Sequence, residues 1–246
     1  MGGTGSPTDE WTADFAKLGI VTFTFDSFSG RGIVRTVADQ SQLGRLSMII
    51  DAYSALALLA KHPRIDANRI ALMGFSRGGQ AVLYASMRRL TKMHGPSGDL
   101  TFAAYIALYP NCGTTYRNDE DLVDKPIRIL HGAADNYVPI APCKAYVERL
   151  TKAGRDVQLI EYPDAHHVFD GPAFRTPLVA ATAQTTGRCT LAEGDNGQII
   201  NRDTQKPFTY TDACVGKGPT IAYNEAAANQ ARSFVRDFLT KQLALK

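Results

Sequence analysis

Residues 69–83 read RIALMGFSRGGQAVL, and this stretch decides the fold class. Its opening residues, 69–73, predict a short buried strand, and helical spacing follows from Gly78 onward. Between them lies a G-x-S-x-G pattern centred on Ser76, which is typical of a strand that turns sharply into a helix. Glycines on either side of the serine remove side chains that would clash in so tight a turn. The stretch therefore predicts a sheet with a serine hydroxyl projecting above its edge, placed as a nucleophile.

Strand and helix patterns alternate along most of the chain. β-Branched and aromatic runs predict strands at 20–25, 101–108, 126–131 and 156–162. Helical spacing predicts helices at 39–61, 78–91, 140–152 and 223–243. This alternation indicates an α/β fold, a mostly parallel sheet with helices on both faces.

Residues 171–222 interrupt the alternation. They are rich in Thr, Gly, Asp and Asn and have weak periodicity. We expect them to form a loop-rich excursion before the last helix, either a cap over the site or a bare surface loop. No internal repeat or second domain is evident, so residues 1–246 are interpreted as one domain.

Composition excludes several classes of function. The chain has 246 residues, 44% of them hydrophobic and 21% charged, with a net charge of +3, as is usual for a soluble enzyme. Its basic residues form no run, so neither nucleic acid nor a membrane surface is an expected partner. Its apolar stretches are shorter than the roughly 20 residues that span a bilayer. No pattern calls for a metal or an organic cofactor.

The four cysteines are Cys112, Cys143, Cys189 and Cys214, and their wide spacing is unlike that of a CxxC metal or redox site. Cys189 and Cys214 bracket a loop region, while Cys112 and Cys143 each follow a predicted strand. Two disulfides in a periplasmic or secreted protein are the favoured hypothesis, and four buried thiols in a cytoplasmic enzyme are the alternative. The N-terminus shows no signal peptide.

A nucleophilic serine needs a base, and the base needs an acid to orient it. In sheets of this kind the acid follows the serine in the chain and the histidine comes last, each after a strand. Asp135 directly follows strand 126–131 and is the favoured acid. Other acidic residues lie before that strand and are interpreted as surface charges: Asp119, Glu120, Asp121 and Asp124.

The base is expected after strand 156–162, where the loop contains both His166 and His167. The pattern alone hardly separates the two. The other histidines, His62, His94 and His131, are placed at helix ends or before the acid and are interpreted as surface or packing residues.

The chain resembles the dienelactone hydrolase family of α/β-hydrolases. The resemblance rests on DSFSGRG (26–32), HPRIDANRIALMGFSRGGQAVL (62–83), LHGAADNYVP (130–139) and YPDAHHVFD (162–170). In that family the histidine of A-x-H-x-F is the base, which corresponds to His167 here. The resemblance implies hydrolysis of an ester or lactone by Ser76, His167 and Asp135, with activity falling at acid pH as the histidine takes up a proton.

The resemblance also implies an oxyanion hole. One donor is the backbone N–H of Arg77 at the start of a helix, and the second belongs to a glycine-rich loop whose end corresponds to Met1 and Gly2. Strands that precede residue 20 in the family have no counterpart, so the sheet is expected to lack its first strands.

Two features point to one branch of the family. The best-known members carry a cysteine nucleophile, whereas Ser76 places this chain nearer to the serine-containing, esterase-like branch. Related sequences of that branch have cysteines at positions similar to Cys112 and Cys143, which implies a Cys112–Cys143 bridge and leaves Cys189 with Cys214.

Three side chains are candidates for substrate binding. Arg31 has the planar fork that grips a carboxylate, but it is also suited to a structural role. Phe75 and Tyr137 would line an acyl or alcohol pocket or pack in the core. A serine peptidase of the same fold and a non-catalytic binding module are the competing functions.

Overall fold

The computed structural model describes residues 6–245, and a four-stranded parallel sheet lies at its centre. The strands lie in the order β1-β2-β4-β5, and their bounds are Ala71–Phe75 (β1), Ala104–Leu108 (β2), Ile127–Gly132 (β4) and Val157–Tyr162 (β5). Every residue of β2 is buried, as expected for a central strand covered on both faces. In register, Gly74 of β1 pairs with Ala107 and Gly132 of β4 pairs with Tyr162, so the carboxyl ends of the strands meet at one edge.

Helices cover both faces of this sheet. Their bounds are Ser6–Lys17 (α1), Ser47–Leu59 (α2), Arg77–Tyr84 (α3), Arg88–His94 (α4), Ala141–Lys152 (α5) and Glu225–Gln242 (α6). Apolar residues of α2 to α5 form one core cluster against the sheet, and those of α1 and α6 form the other. The chain thus has the α/β-hydrolase arrangement, with two apolar layers holding the sheet between them.

The stretch 20–25 forms no strand, so this prediction is wrong. Within residues 6–245 no strand lies alongside it, and Val21 and Phe23 are 77% and 47% exposed. β-Branched and aromatic residues favour extended backbone, but a strand also needs a partner for its hydrogen bonds.

The N-terminal helix α1 was not predicted. Its sequence follows a glycine-rich beginning, and its apolar face is short, with Trp11 and Phe15 buried against α6. Tertiary contacts hold it, because Arg232 of α6 pairs with both Glu10 and Asp14 of α1.

Two predicted helices are shorter or interrupted. Residues 39–61 contain a 3-10 turn at Gln40–Gln42 and then α2. Residues 78–91 are divided between α3 and α4, because Met87 leaves the helix to bridge Leu122. The other predicted helices and strands lie within a few residues of their expected positions.

Residues 171–222 contain short strands rather than bare loop. Two strands, Leu191–Glu193 (β8) and Ile199–Asn201 (β9), form a hairpin, and the edge of β8 pairs with Thr114–Thr115 (β3). The remaining strands are each two residues long: Leu178–Val179 (β6), Gln184–Thr185 (β7), Lys206–Pro207 (β10), Gly216–Lys217 (β11) and Thr220–Ile221 (β12). Their shortness explains why the sequence shows no clear strand period there.

The four cysteines form two disulfides, Cys112–Cys143 and Cys189–Cys214, which confirms the expected pairing. The first joins the loop after β2 to the first turn of α5, and the second closes a segment inside 171–222. Among the helices of residues 6–245, none has the length and apolar character needed to cross a bilayer.

Candidate active site

Ser76 lies on the sharp turn between β1 and α3, with a φ of 52° that side chains rarely adopt. A hydrogen bond from its N–H to the carbonyl of Leu108, 2.9 Å long, ties the turn to the neighbouring strand. Two glycines permit the close approach. A Cβ on Gly74 would lie 2.6 Å from the backbone of Gly78, and one on Gly79 would lie 2.6 Å from the carbonyl oxygen of Leu108.

Gly78 itself has open space where a Cβ would lie. The second glycine that the turn needs is therefore Gly79, one position beyond the G-x-S-x-G pattern. The steric requirement falls on the contact between α3 and β2 rather than on the turn alone.

The loop after β4 carries Asp135, which is buried. Its Oδ1 accepts hydrogen bonds from the backbone N–H groups of Tyr137 (2.9 Å) and Val138 (2.8 Å), and its Oδ2 lies 2.6 Å from His167 Nδ1. Burial by itself would raise the pKa of Asp135, but the charge and hydrogen bond of His167, with help from His131 and the Val138 N–H, hold that pKa below its usual value. Asp135 is thus an ionised hydrogen-bond acceptor at neutral pH.

His167 joins the acid to the serine. Its Nε2 lies 2.8 Å from Ser76 Oγ while its Nδ1 faces Asp135. The ring is held between two tyrosines, Tyr109 and Tyr137, whose centroids each lie 4.7 Å from that of the imidazole. With a proton on Nδ1, Nε2 is free to accept the serine proton, so the arrangement is chemically suited to activating Ser76.

The other histidines do not reach the serine. His166 lies next in the chain but no contact joins it to Ser76, and His62 and His94 are exposed. His131 is fully buried, and burial lowers its pKa although nearby Asp135 opposes this. Asp119, one of the disfavoured acids, instead pairs with Arg149.

Arg77 is the first residue of α3, so its backbone N–H has no partner within the helix and lies beside Ser76. Its side chain anchors a loop, since the guanidinium donates to the carbonyl oxygens of Gln40 and Leu43. Met1 and Gly2, the other residues predicted for an oxyanion hole, lie outside the described residues.

The three candidate substrate-binding residues have different surroundings. Arg31 forms a two-pronged ion pair with Asp51, at 2.7 and 2.8 Å, and is not brought near Ser76. Phe75 packs with the rings of Trp11 and Tyr109. Only Tyr137 contacts the serine-histidine-aspartate series, through His167.

The excursion 171–222 contacts several loops of the site. The Thr185 hydroxyl donates to the carbonyl of Tyr137 (2.6 Å), Asn111 donates to Thr186 (3.1 Å), and Ala222 N–H donates to the carbonyl of His167 (3.3 Å). Residues of the excursion therefore pack against both the acid loop and the base loop.

One polar group near the site, the carboxylate of Asp170, was missed from sequence. Asp170 is fully buried and accepts hydrogen bonds from Trp11 Nε1 (2.7 Å) and from the hydroxyl of Tyr109 (2.8 Å), the ring that packs against His167. Burial raises the pKa of Asp170, and these hydrogen bonds only partly offset the effect. The carboxylate ends the quoted YPDAHHVFD motif, but its partners come from distant segments and no local pattern identifies them.

Within residues 6–245, no three His, Cys, Asp or Glu side chains are grouped as metal ligands.

Comparison with known proteins agrees with this architecture. Residues 3–191 match the model of the dienelactone hydrolase family. A Methylorubrum extorquens protein described as "Putative carboxymethylenebutenolidase" is 26% identical over 65% of this chain, and the match spans 58% of that protein's length.

Two solved structures have the same fold. One is an α/β-hydrolase from a Medee basin deep-sea metagenome library, with a TM-score of 0.56, 16% identity and coverage of 99% of this chain and 81% of its own. The other is a dienelactone hydrolase-like promiscuous phosphotriesterase from metagenomic libraries, with a TM-score of 0.55, 16% identity and coverage of 98% and 82%. Since the family model spans most of the chain and the fold agrees, the chain belongs to the dienelactone hydrolase family of α/β-hydrolases.

Proposed function

We propose that the protein hydrolyses carboxylic esters or lactones through an acyl-enzyme formed on Ser76. The observation that carries the proposal is the hydrogen-bonded series Ser76–His167–Asp135, with separations of 2.8 and 2.6 Å, placed at the carboxyl edge of the sheet. Membership in a family of hydrolases supports the same reaction class.

In the proposed mechanism, His167 Nε2 takes the proton of Ser76 as Oγ bonds to the ester carbonyl carbon. The carbonyl oxygen becomes an oxyanion, which accepts a hydrogen bond from the Arg77 N–H at the positive end of α3. Asp135 keeps the imidazole oriented and stabilises its protonated form.

Collapse of the tetrahedral intermediate breaks the bond to the alcohol oxygen, and the imidazolium gives its proton to that alcohol. Water then attacks the acyl-enzyme as His167 removes its proton, and the second collapse returns the proton to Ser76 Oγ. The acid product and the alcohol account for all atoms of the ester and the water.

We also propose that the excursion 171–222 is a cap that shapes the substrate pocket. Its hydrogen bonds to the loops of Tyr137, Asn111 and His167 support this role over that of a bare surface loop. Two disulfides are compatible with an extracytoplasmic location, and export is proposed on that basis.

The test is turnover of p-nitrophenyl acetate and butyrate beside a peptide p-nitroanilide, with Ser76→Ala as the comparison. The proposal predicts ester hydrolysis that Ser76→Ala abolishes and little anilide cleavage. Anilide cleavage at a comparable rate would favour a peptidase, and no turnover of any ester or lactone by the folded protein would favour a binding module.

A further inference from the structure

A fully buried carboxylate, that of Asp170, lies on the loop that carries His167. It has no exposed surface, and its two oxygens accept hydrogen bonds from the Trp11 indole N–H (2.7 Å) and from the Tyr109 hydroxyl (2.8 Å). Both donors are neutral groups. A buried carboxylate held by neutral side chains is costly compared with an apolar side chain of similar size. Asp170 is therefore better explained by what it positions than by a contribution to stability.

The hydrogen bond to Asp170 fixes a ring that touches the base. The edge of the aromatic pair between Tyr109 and His167 has its centroids 4.7 Å apart, with the ring planes at 62°. Tyr137 contacts the imidazole at the same distance, but its hydroxyl has no hydrogen-bond partner among the described residues. Of the two rings beside the base, only that of Tyr109 is held by a polar contact at its far end.

Backbone strain marks the two loops that this hydrogen bond joins. Tyr109, on the loop after β2, has a φ of 38°, and Val168, between the base and Asp170, has a φ of 62°. Bulky and β-branched residues rarely adopt such values, and the strain persists only where surrounding contacts hold it. The N–H of Tyr109 donates to the carbonyl of Leu130 (2.7 Å), and the bond from the Tyr109 hydroxyl to Asp170 ties one strained loop to the other.

We propose that Asp170 is a positioning residue for the base: it holds the Tyr109 ring, and this ring keeps the imidazole of His167 aligned with the serine. The inference rests on the proposed function. Tyr109 is 1% exposed and Asp170 is 0% exposed, so both act through the imidazole rather than on the substrate. Proton transfer needs His167 Nε2 close to the serine Oγ, and a displacement of about 1 Å can cost roughly 100-fold in rate.

The first test compares two variants that each lose one buried hydroxyl. Tyr109→Phe keeps the ring and removes its hydrogen bond to Asp170. Tyr53→Phe is the matched control, because the Tyr53 hydroxyl donates to the carbonyl of Ala85 (2.8 Å) within the core cluster of α2 to α5.

Both variants should lose stability, so turnover of p-nitrophenyl butyrate is measured well below the urea and thermal transitions of each. We expect kcat of Tyr109→Phe to fall about 10- to 100-fold with little change in KM, and kcat of Tyr53→Phe to stay near that of the unaltered protein. If Asp170 served only to hold α1 through Trp11, the two variants would have the same kcat, and that result would overturn the inference.

A double-mutant cycle tests whether Asp170 acts through Tyr109. Asp170→Asn keeps the size of the side chain but leaves one acceptor oxygen for two donors, and we expect kcat to fall about 10-fold. Added to Tyr109→Phe, the same change should lower kcat little further, because the contact that it weakens is already absent. An unchanged kcat in Asp170→Asn, or losses that multiply in the double variant, would contradict the inference.

A spectroscopic measurement separates this inference from the proposed function, because it needs no turnover. Two-bond ¹H–¹⁵N NMR spectra of protein labelled in histidine report the tautomer of each neutral imidazole, and a His167→Gln sample assigns the signals of the base. We expect the proton on Nδ1 in the unaltered protein and in Tyr53→Phe, and a larger fraction on Nε2 in Tyr109→Phe, where the ring is free to tilt away from Asp135.

The outcomes distinguish the two proposals. Ester turnover in which Tyr109→Phe alters neither kcat nor the tautomer of His167 would overturn the inference and leave the hydrolase proposal standing. A loss of kcat with an unchanged tautomer would also overturn the inference. A shifted tautomer in Tyr109→Phe of a protein that hydrolyses no ester would support the positioning role and refute the hydrolase proposal.

Discussion

At the scale of single residues, the proposed mechanism needs Asp135, 2.6 Å from His167 Nδ1, to keep the imidazole facing Ser76. The second oxygen of Asp135 is occupied by two backbone N–H groups, so the carboxylate cannot turn away. Asp135→Asn keeps the shape of the side chain, but its amide presents an N–H donor to His167 Nδ1. The imidazole then carries its proton on Nε2 instead, where it cannot accept the proton of Ser76. We expect kcat to fall about 10⁴-fold, measured on a p-nitrophenyl ester. Asp124→Asn, a change at an exposed acid, is the control, and equal losses in the two variants would contradict the assignment of the acid.

The pH dependence of activity follows from the same pair. Because the pKa of Asp135 is held below its usual value, this group stays ionised until the pH falls below its ordinary range of about 4. In the proposed mechanism one proton on the imidazole is enough to block transfer from Ser76, and Asp135 adds no second protonation in that range. We expect log kcat/KM to decline with a slope of one down to about pH 4.5. A slope of two within that range would show that Asp135 or another group protonates with it.

That Ser76, Asp135 and His167 would lie together was predictable, because each follows a strand in the order that the fold requires. The buried carboxylate of Asp170 was not, because its donors Trp11 and Tyr109 come from distant segments and no local pattern joins them. For Arg31 the sequence left a ligand group and a structural role open, and its ion pair with Asp51 is in keeping with the structural role.

At the scale of elements, the position of the nucleophile depends on how closely α3 approaches β2. A Cβ at Gly79 would lie 2.6 Å from the backbone oxygen of Leu108, whereas one at Gly78 would meet no atom within 4 Å. We expect Gly79→Ala to lower the free energy of unfolding by about 1–3 kcal/mol and to displace the turn. Gly78→Ala should be neutral or stabilising by up to about 1 kcal/mol.

Urea unfolding of these two variants provides the test, because they place the same methyl group on adjacent residues of one helix. Equal stability of the two would contradict the steric explanation of the turn.

The elements themselves were largely predictable from periodicity. The exceptions, α1 and the stretch 20–25, depend on partners: α1 gains its stability from α6, and 20–25 has no neighbouring strand in the described residues.

At the scale of the whole molecule, two disulfides close long loops of the chain. Cys112–Cys143 links the loop after β2 to α5, and Cys189–Cys214 closes a segment of the excursion. The bridged cysteines are 31 and 25 residues apart in sequence, and loops of these lengths correspond to about 3.5 kcal/mol each. The typical stability of a domain is only about 5–15 kcal/mol.

We therefore expect a thiol reductant to lower the urea midpoint clearly. Fluorescence of Trp11, the single tryptophan, reports the transition because the side chain is buried against α6. If the reduced protein keeps the same urea midpoint, the disulfides add no stability, and they no longer support the proposal of export. The Cys112→Ala/Cys143→Ala variant, which retains the second disulfide, should lie between the oxidised and reduced forms.

The most direct test of the hydrolase proposal is covalent trapping of the nucleophile. Incubation with a fluorophosphonate followed by peptide mass spectrometry should place one phosphonyl group on Ser76, and loss of ester turnover should match the fraction labelled. His167→Ala should slow labelling strongly, since the imidazole activates the hydroxyl. A label on another residue, or full ester turnover in a protein labelled at Ser76, would contradict the central claim that Ser76 is the nucleophile.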